Sequence, residues 1–136
     1  MTTKIKNLGK MSDLDPKDFA DIDGDAAKIA QELKKGKGGI KTSQLRKFFD
    51  PLVKIESKLK KSNAWDKEIE GQLRMVLPTL AYAVGRELAP KEFYDLVDIC
   101  VKKVLQGDPS EKIANFERFM DFLRSIVAYN KYYGGE

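Results

Sequence analysis

The chain has 136 residues, of which 42% are apolar and 34% are charged, and this size and composition are typical of one globular domain. It contains no histidine and one cysteine, Cys100, which excludes histidine-based catalysis, histidine zinc sites and an internal disulfide. The first residues have no apolar run typical of a secretory signal, and no run approaches the length of a membrane span. We therefore expect a cytoplasmic protein that needs no membrane, cofactor or metal, and any catalysis would have to use carboxylates, Lys or Tyr.

The net charge of +4 is unevenly distributed along the chain. Residues 28–61 contain eleven Lys or Arg and three Asp or Glu, a net charge of +8, whereas residues 1–27 and 62–136 each carry −2. A basic block of this kind is typical of a surface that binds phosphates. A lysine-rich solvent face would have the same composition, so charge alone leaves both interpretations open.

Residues 1–24 are polar and show no sustained hydrophobic period, so they predict a loosely ordered N-terminal arm before a helical domain spanning residues 25–136. Apolar positions at helical spacing predict the first helix of that domain over 25–35. It ends at Gly36, where the basic sequence KGKGGI predicts a mobile loop. Thr42 or Ser43 is then expected to supply the N-cap hydroxyl of the next helix.

The helix predicted over 42–61 carries most of the basic block. Its apolar positions recur at threes and fours and define a core-facing stripe: Leu45, Phe48, Leu52, Ile55 and Leu59. At 100° per residue, the opposite face collects lysines: Lys47, Lys54, Lys58 and Lys61. Asp50-Pro51 predicts either a kink or a break in this helix, and a break would weaken the alignment of the lysines.

Three further helical patterns follow. One begins near Asn63 and runs to about Arg86 with an interruption at Pro78, and the next begins at Ala89-Pro90. The last opens with Asp108-Pro109-Ser110-Glu111, which supplies a cap, a proline at the first helical position and a capping-box glutamate. No segment has the pattern of a strand. The sequence therefore predicts an all-α, single-domain bundle of about five helices.

Several motifs imitate functional sites. GKGGIKTS lacks the glycine spacing and the preceding strand of a phosphate loop. DIDGDAAKIAQE has acids at four calcium-loop positions, but Ala26 stands where that loop needs glycine, so the acids are better explained as helix-capping residues. Helix, glycine turn and helix over 25–61 also follow the order of a helix-turn-helix DNA-binding regulator. A DNA-binding regulator of this kind is one function that the sequence leaves open. A helical adaptor without nucleic-acid binding is another.

Three stretches carry a family resemblance: IKTSQLRKFF at 40–49, LPTLAYAVGRE at 77–87 and NFERFMDFLRSIVAYNKYY at 115–133. In this order they resemble the small-subunit family of type III-A CRISPR effector complexes, the Csm complexes, over about residues 25–133. The resemblance implies a non-catalytic helical subunit of an antiviral ribonucleoprotein. Its implied partners are the guide crRNA and its target RNA, the repeated backbone subunit, the large polymerase-like subunit and further copies of itself.

A subunit that must hold any target sequence is expected to contact phosphate and sugar, because guide pairing supplies sequence discrimination. The residues that we expect to contact RNA are Lys41, Arg46, Lys47, Lys54, Lys58, Arg86, Arg124 and Lys131. Arg46 and Arg86 come from the family resemblance, whereas the lysines come from charge and periodicity. For Arg86, pairing with Glu87 or Glu92 or capping of helix carbonyls is an equal alternative. Tyr129, Tyr132 and Tyr133 would stack bases, close the bundle or meet a partner subunit.

Overall fold

The computed structural model describes residues 1–34 and 40–134. Its helices are α1 (Thr2–Lys6), a 3₁₀ helix (Met11–Asp13), α2 (Pro16–Phe19), α3 (Asp25–Lys34), α4 (Thr42–Ser62), α5 (Lys67–Gly85), α6 (Lys91–Val104) and α7 (Pro109–Tyr132). The described residues form no strand, and the all-α prediction is confirmed. The longer helices α3 to α7 are the five that the sequence predicts. Most of the predicted glycine-rich loop, residues 35–39, lies outside the described residues.

The longest helix, α7, is the central element of the core. It packs against α3, α4 and α6 and against the 3₁₀ helix. Phe116, Phe119 and Phe122 of α7 are completely buried. The Phe122 ring meets that of Phe19 edge-on, with centroids 5.4 Å apart, and Trp65 meets Phe116 at 6.3 Å. Burying each such side chain contributes about 1.5–3 kcal/mol, so α7 organises the bundle around it.

Local capping signals fix the start of two helices. The Asp108 carboxylate accepts the Glu111 backbone N–H at 2.9 Å, and the Glu111 carboxylate accepts the Asp108 N–H at 3.4 Å. The predicted capping box of α7 is therefore confirmed, and the Glu111 N–H holds the pKa of Asp108 below its ordinary value. Asp66 caps α5 by accepting the Ile69 N–H at 2.8 Å. The cap predicted for α4 is wrong, because Lys41 and neither Thr42 nor Ser43 occupies that position.

The segment before α3 is more ordered than its sequence pattern predicts. Ile5, Met11, Leu14 and Phe19 are all buried in the same core as the five longer helices. These side chains are spaced too irregularly for one amphipathic helix, so hydrophobic periodicity does not predict that they are buried. Their short helical turns are stabilised by packing against the longer helices rather than by their own length.

Candidate nucleic-acid interface

Helix α4 presents the basic block on a continuous scaffold. It runs from Thr42 to Ser62 with Pro51 inside it, so the Asp50-Pro51 step does not break the helix. The predicted core-facing stripe is buried at every position: Leu45, Phe48, Leu52, Ile55 and Leu59. Lys47, Lys54 and Lys58 are exposed, and because the helix is unbroken they keep a common phase. The lysine face therefore exists as a geometric feature of α4.

The lysines of this face differ in how far neighbouring groups satisfy them. Lys58 Nζ lies 3.1 Å from a Glu68 carboxylate oxygen and donates to Gln72 Oε1 at 3.2 Å. Within residues 1–34 and 40–134, Lys47 and Lys54 have no carboxylate within ion-pair distance. Those two ammonium groups are thus available to an external anion, whereas Lys58 must exchange an internal partner for one.

Two other predicted residues lie near the start of α4. Lys41 is the N-cap residue and is exposed, and Arg46 is exposed one position before Lys47. One residue corresponds to about 100° around a helix, so Arg46 does not share the face of Lys47 and Lys54. In the described part of the chain neither of these two cations forms an ion pair.

Arg86 lies at the C-terminal end of α5 and faces the start of α4 across a groove. Its guanidinium sits 5.8 Å from the centre of the Tyr82 ring and donates to the Tyr82 hydroxyl at 3.4 Å. Lys47 and Arg86 both line this groove, so the structure brings together two predicted site residues from different helices. Among the described groups, neither Glu87 nor Glu92 forms an ion pair with Arg86. The expected alternative, an ion pair with one of these two acids, is therefore not observed.

Arg124 already contacts two side chains of α4. It forms a two-pronged ion pair with Glu56, with nitrogen–oxygen distances of 2.8 and 3.3 Å, and its guanidinium lies 5.7 Å from the centre of the Phe49 ring. The Glu56 side chain is only 15% exposed. Its position beside the apolar stripe is explained by this pair, which links α4 to α7. A role for Arg124 in RNA contact would have to coexist with that link.

Lys131 lies at the end of α7 beside a cluster of three tyrosines. It is exposed, and Tyr129, Tyr132 and Tyr133 contact one another with ring centroids 5.2 to 6.4 Å apart. The Tyr129 hydroxyl donates to the Ala20 carbonyl at 2.6 Å. Tyr129 therefore closes α7 against the N-terminal segment, which agrees for this residue with the interpretation that these tyrosines close the bundle.

Sequence reasoning missed the apolar rim of the groove between α4 and α5. Tyr82, which lines the groove, and Met75, which lines the neighbouring pocket, are 66% and 62% exposed and lie outside the buried stripe of α5. Tyr82 lies four residues before Arg86, so the two share one helix face, and that spacing was the available signal.

Other site classes find little support in the described ranges. No group of three or more His, Cys, Asp or Glu side chains there could hold a metal ion. Asp25, from the calcium-like motif, pairs with Lys4 at 2.7 Å. Burial raises the pKa of the Cys100 thiol, so it is protonated and unreactive. No described helix combines the length and apolar character required to cross a membrane.

Comparison with known proteins identifies the family. The family model described as Csm2 Type III-A matches residues 16–136, which is nearly the whole chain and includes every element from α2 onward. No curated protein matches the chain. No solved structure matches it either. With the all-α bundle and the matched range together, the chain belongs to the Csm2 family, the small subunits of type III-A CRISPR Csm complexes.

Proposed function

We propose that this small subunit binds the backbone of the guide crRNA and of its target RNA, without sequence specificity and without catalysis. The observation that carries the proposal is the pair of unpartnered lysines, Lys47 and Lys54, in phase on the unbroken helix α4. Seven residues of helix separate them by about 10 Å, so they would reach different phosphates. Backbone contacts carry no sequence information, which suits a subunit whose target changes with every guide.

The remaining predicted residues would extend this surface. Lys41 and Arg46 widen it at the start of α4, and Arg86 extends it across the groove to α5. Lys58, Arg124 and Lys131 would add weaker contacts, since the first two already have internal partners. In the complex we expect the subunit to lie beside the backbone subunit, the large polymerase-like subunit and further copies of itself, in the cytoplasm. Each copy would then contribute weakly and the array would bind by avidity.

The test is a salt titration of binding to unrelated single-stranded RNAs, followed by fluorescence anisotropy. The variant is Lys47→Glu with Lys54→Glu, which leaves the internal partners of Lys58 intact. The matched control is Lys6→Glu with Lys67→Glu, which changes the net charge equally and, like the variant, breaks no ion pair among the described residues. Both control lysines are exposed and lie outside the basic block.

The wild type should bind all sequences alike, with affinity that falls steeply as salt rises. Losing two phosphate contacts should reduce the slope of log K against log salt by about 1.4, and the control should keep the wild-type slope. Equal slopes in the variant and the control would contradict the proposal. Strong discrimination among duplex DNA sequences would instead support the DNA-binding regulator.

A further inference from the structure

The groove between α4 and α5 has an apolar floor and an unusual rim. Phe48 and Leu80 form part of the floor, and both are buried in the core. Lys47, Tyr82 and Arg86 line its edges. The space is about 220 Å³, and a neighbouring pocket that Lys47 also lines continues along α5 to Met75.

The ionised side chains known to line this groove have one sign. Among the residues that the structure describes, these are Lys47 and Arg86, and both are cations. Neither has a carboxylate partner in the described parts of the chain. A ligand that enters the groove and carries negative charge on both sides would be complementary to it.

Tyr82 gives the groove its chemical character. Two thirds of this tyrosine is exposed, and Arg86 holds it at the rim through its ring and its hydroxyl. Met75 lies seven residues earlier on the same face of α5 and is similarly exposed. A tyrosine ring and an arginine plane are both platforms on which nucleobases stack, whatever the base.

We propose that this groove is a nucleobase subsite, in which one unpaired base of single-stranded RNA stacks on Tyr82 while its flanking phosphates meet Lys47 and Arg86. The inference rests on the proposed RNA-binding function and deepens it, because it adds a contact that does not depend on phosphate. The volume also favours a single ring: it is below the roughly 300–1,000 Å³ of pockets that enclose whole drug-sized ligands. Two cations in so short a groove favour the phosphodiester chain over a protein helix, which needs a longer apolar surface.

The test compares two single-stranded RNAs of equal length and phosphate number, one of ordinary sequence and one with abasic ribose at every position. Both are titrated against the full-length wild-type chain, against Tyr82→Ala and against Tyr82→Phe. The phenylalanine variant is the matched control, because it keeps an aromatic ring at the same position. Because Tyr82 is exposed, both variants should keep the wild-type melting temperature.

The wild type should prefer the ordinary RNA by on the order of tenfold. Tyr82→Ala should lose this preference without changing the salt slope, whereas Tyr82→Phe should retain it. Equal binding of the two RNAs by the wild type, with a steep salt slope, would overturn the subsite and leave the proposed phosphate binding intact. Loss of subunit association in Tyr82→Ala, with RNA binding unchanged, would overturn it in favour of a protein-docking groove. Absence of any salt-dependent RNA binding would contradict both proposals.

Discussion

Glu70 shows how one carboxylate joins two helices. Trp65 Nε1 and Lys112 Nζ both donate to Glu70 Oε1, at 3.2 and 3.1 Å, and Arg74 lies 3.7 Å from the second oxygen. The Trp65 hydrogen bond and then Lys112 lower the pKa of Glu70 below its ordinary value of 4.5. Because the folded-state pKa is the lower one, the ionised carboxylate stabilises the protein above pH 4.5. That stability is lost as the pH falls through the folded-state pKa.

The expected consequence is a specific change in acid sensitivity. Glu70→Gln keeps an oxygen that accepts from Trp65 and Lys112 but removes the ionisation, so its free energy of unfolding should fall less than that of the wild type between pH ~6 and pH ~3. Urea unfolding followed by circular dichroism at a series of pH values measures this. Glu117→Gln is the control, because Glu117 is exposed on α7. If the Glu70→Gln profile runs parallel to that of the wild type, the linkage is wrong.

The side chains around Glu70 also mark the reach of residue-level prediction. Trp65 lies near a helix start, and its ring contacts that of Phe116. Glu70 is contacted by Lys112, which is 42 residues away in sequence. No local rule in one sequence connects positions at that separation, so cross-helix partners of this kind could not be predicted.

At the scale of the element, α4 retains a proline at an internal position. Pro51 has no N–H to donate to the carbonyl of Lys47, four residues earlier. Both residues are exposed, so water is available to that carbonyl. The lysine face thus survives at a cost in helix stability.

Replacing that proline should recover the cost. Pro51→Ala restores the backbone hydrogen bond, and the gain of about 3 kcal/mol for a helix interior is reduced by the greater freedom of the unfolded alanine chain, so we expect about 2 kcal/mol of added stability. Urea unfolding at neutral pH measures it. Pro109→Ala is the matched control with little expected effect, because Pro109 occupies the first position of α7, where proline is favourable. Equal or lower stability of Pro51→Ala would show that α4 needs the proline.

Helix boundaries were predictable to the extent that their signals are local. The capping box at Asp108 lies within four consecutive residues, and its prediction is confirmed. The cap of α4 was mispredicted because a suitable hydroxyl does not decide where the preceding chain enters the helix.

In the candidate interface, charge and hydrophobic periodicity located Lys47 and Lys54. The groove that both Lys47 and Arg86 line depends on how α4 packs on α5, which periodicity does not specify.

At the scale of the whole molecule, the N-terminal segment is tied to the far end of the chain. Lys103 Nζ donates to the carbonyls of Lys6 and Leu8 at 3.0 and 2.7 Å. The Asn115 side chain accepts the Ser12 N–H at 3.0 Å. These partners are separated by about a hundred residues in sequence. The division into an arm (1–24) and a domain (25–136) stays a prediction, and these contacts argue against it.

Deleting residues 2–14 tests that division directly. The deletion removes the buried side chains of Ile5, Met11 and Leu14, and each contributes about 1.5–3 kcal/mol, so we expect a loss of stability of about 5 kcal/mol or more. It would also leave the buried side-chain oxygen of Asn115 without the Ser12 N–H that donates to it, which lowers stability further. Urea unfolding and the melting temperature measure the change.

The control alters the neighbouring helix α2 without touching the core: Lys17→Ala with Asp18→Ala, both at exposed positions, should change stability little. The deleted residues lie before the family match, which starts at residue 16, so a large loss would show that the fold extends beyond the segment shared with the family. A deletion variant as stable as the full chain would show instead that the segment is a dispensable arm. The contacts of Lys103 and Asn115 would then contribute almost nothing to folding.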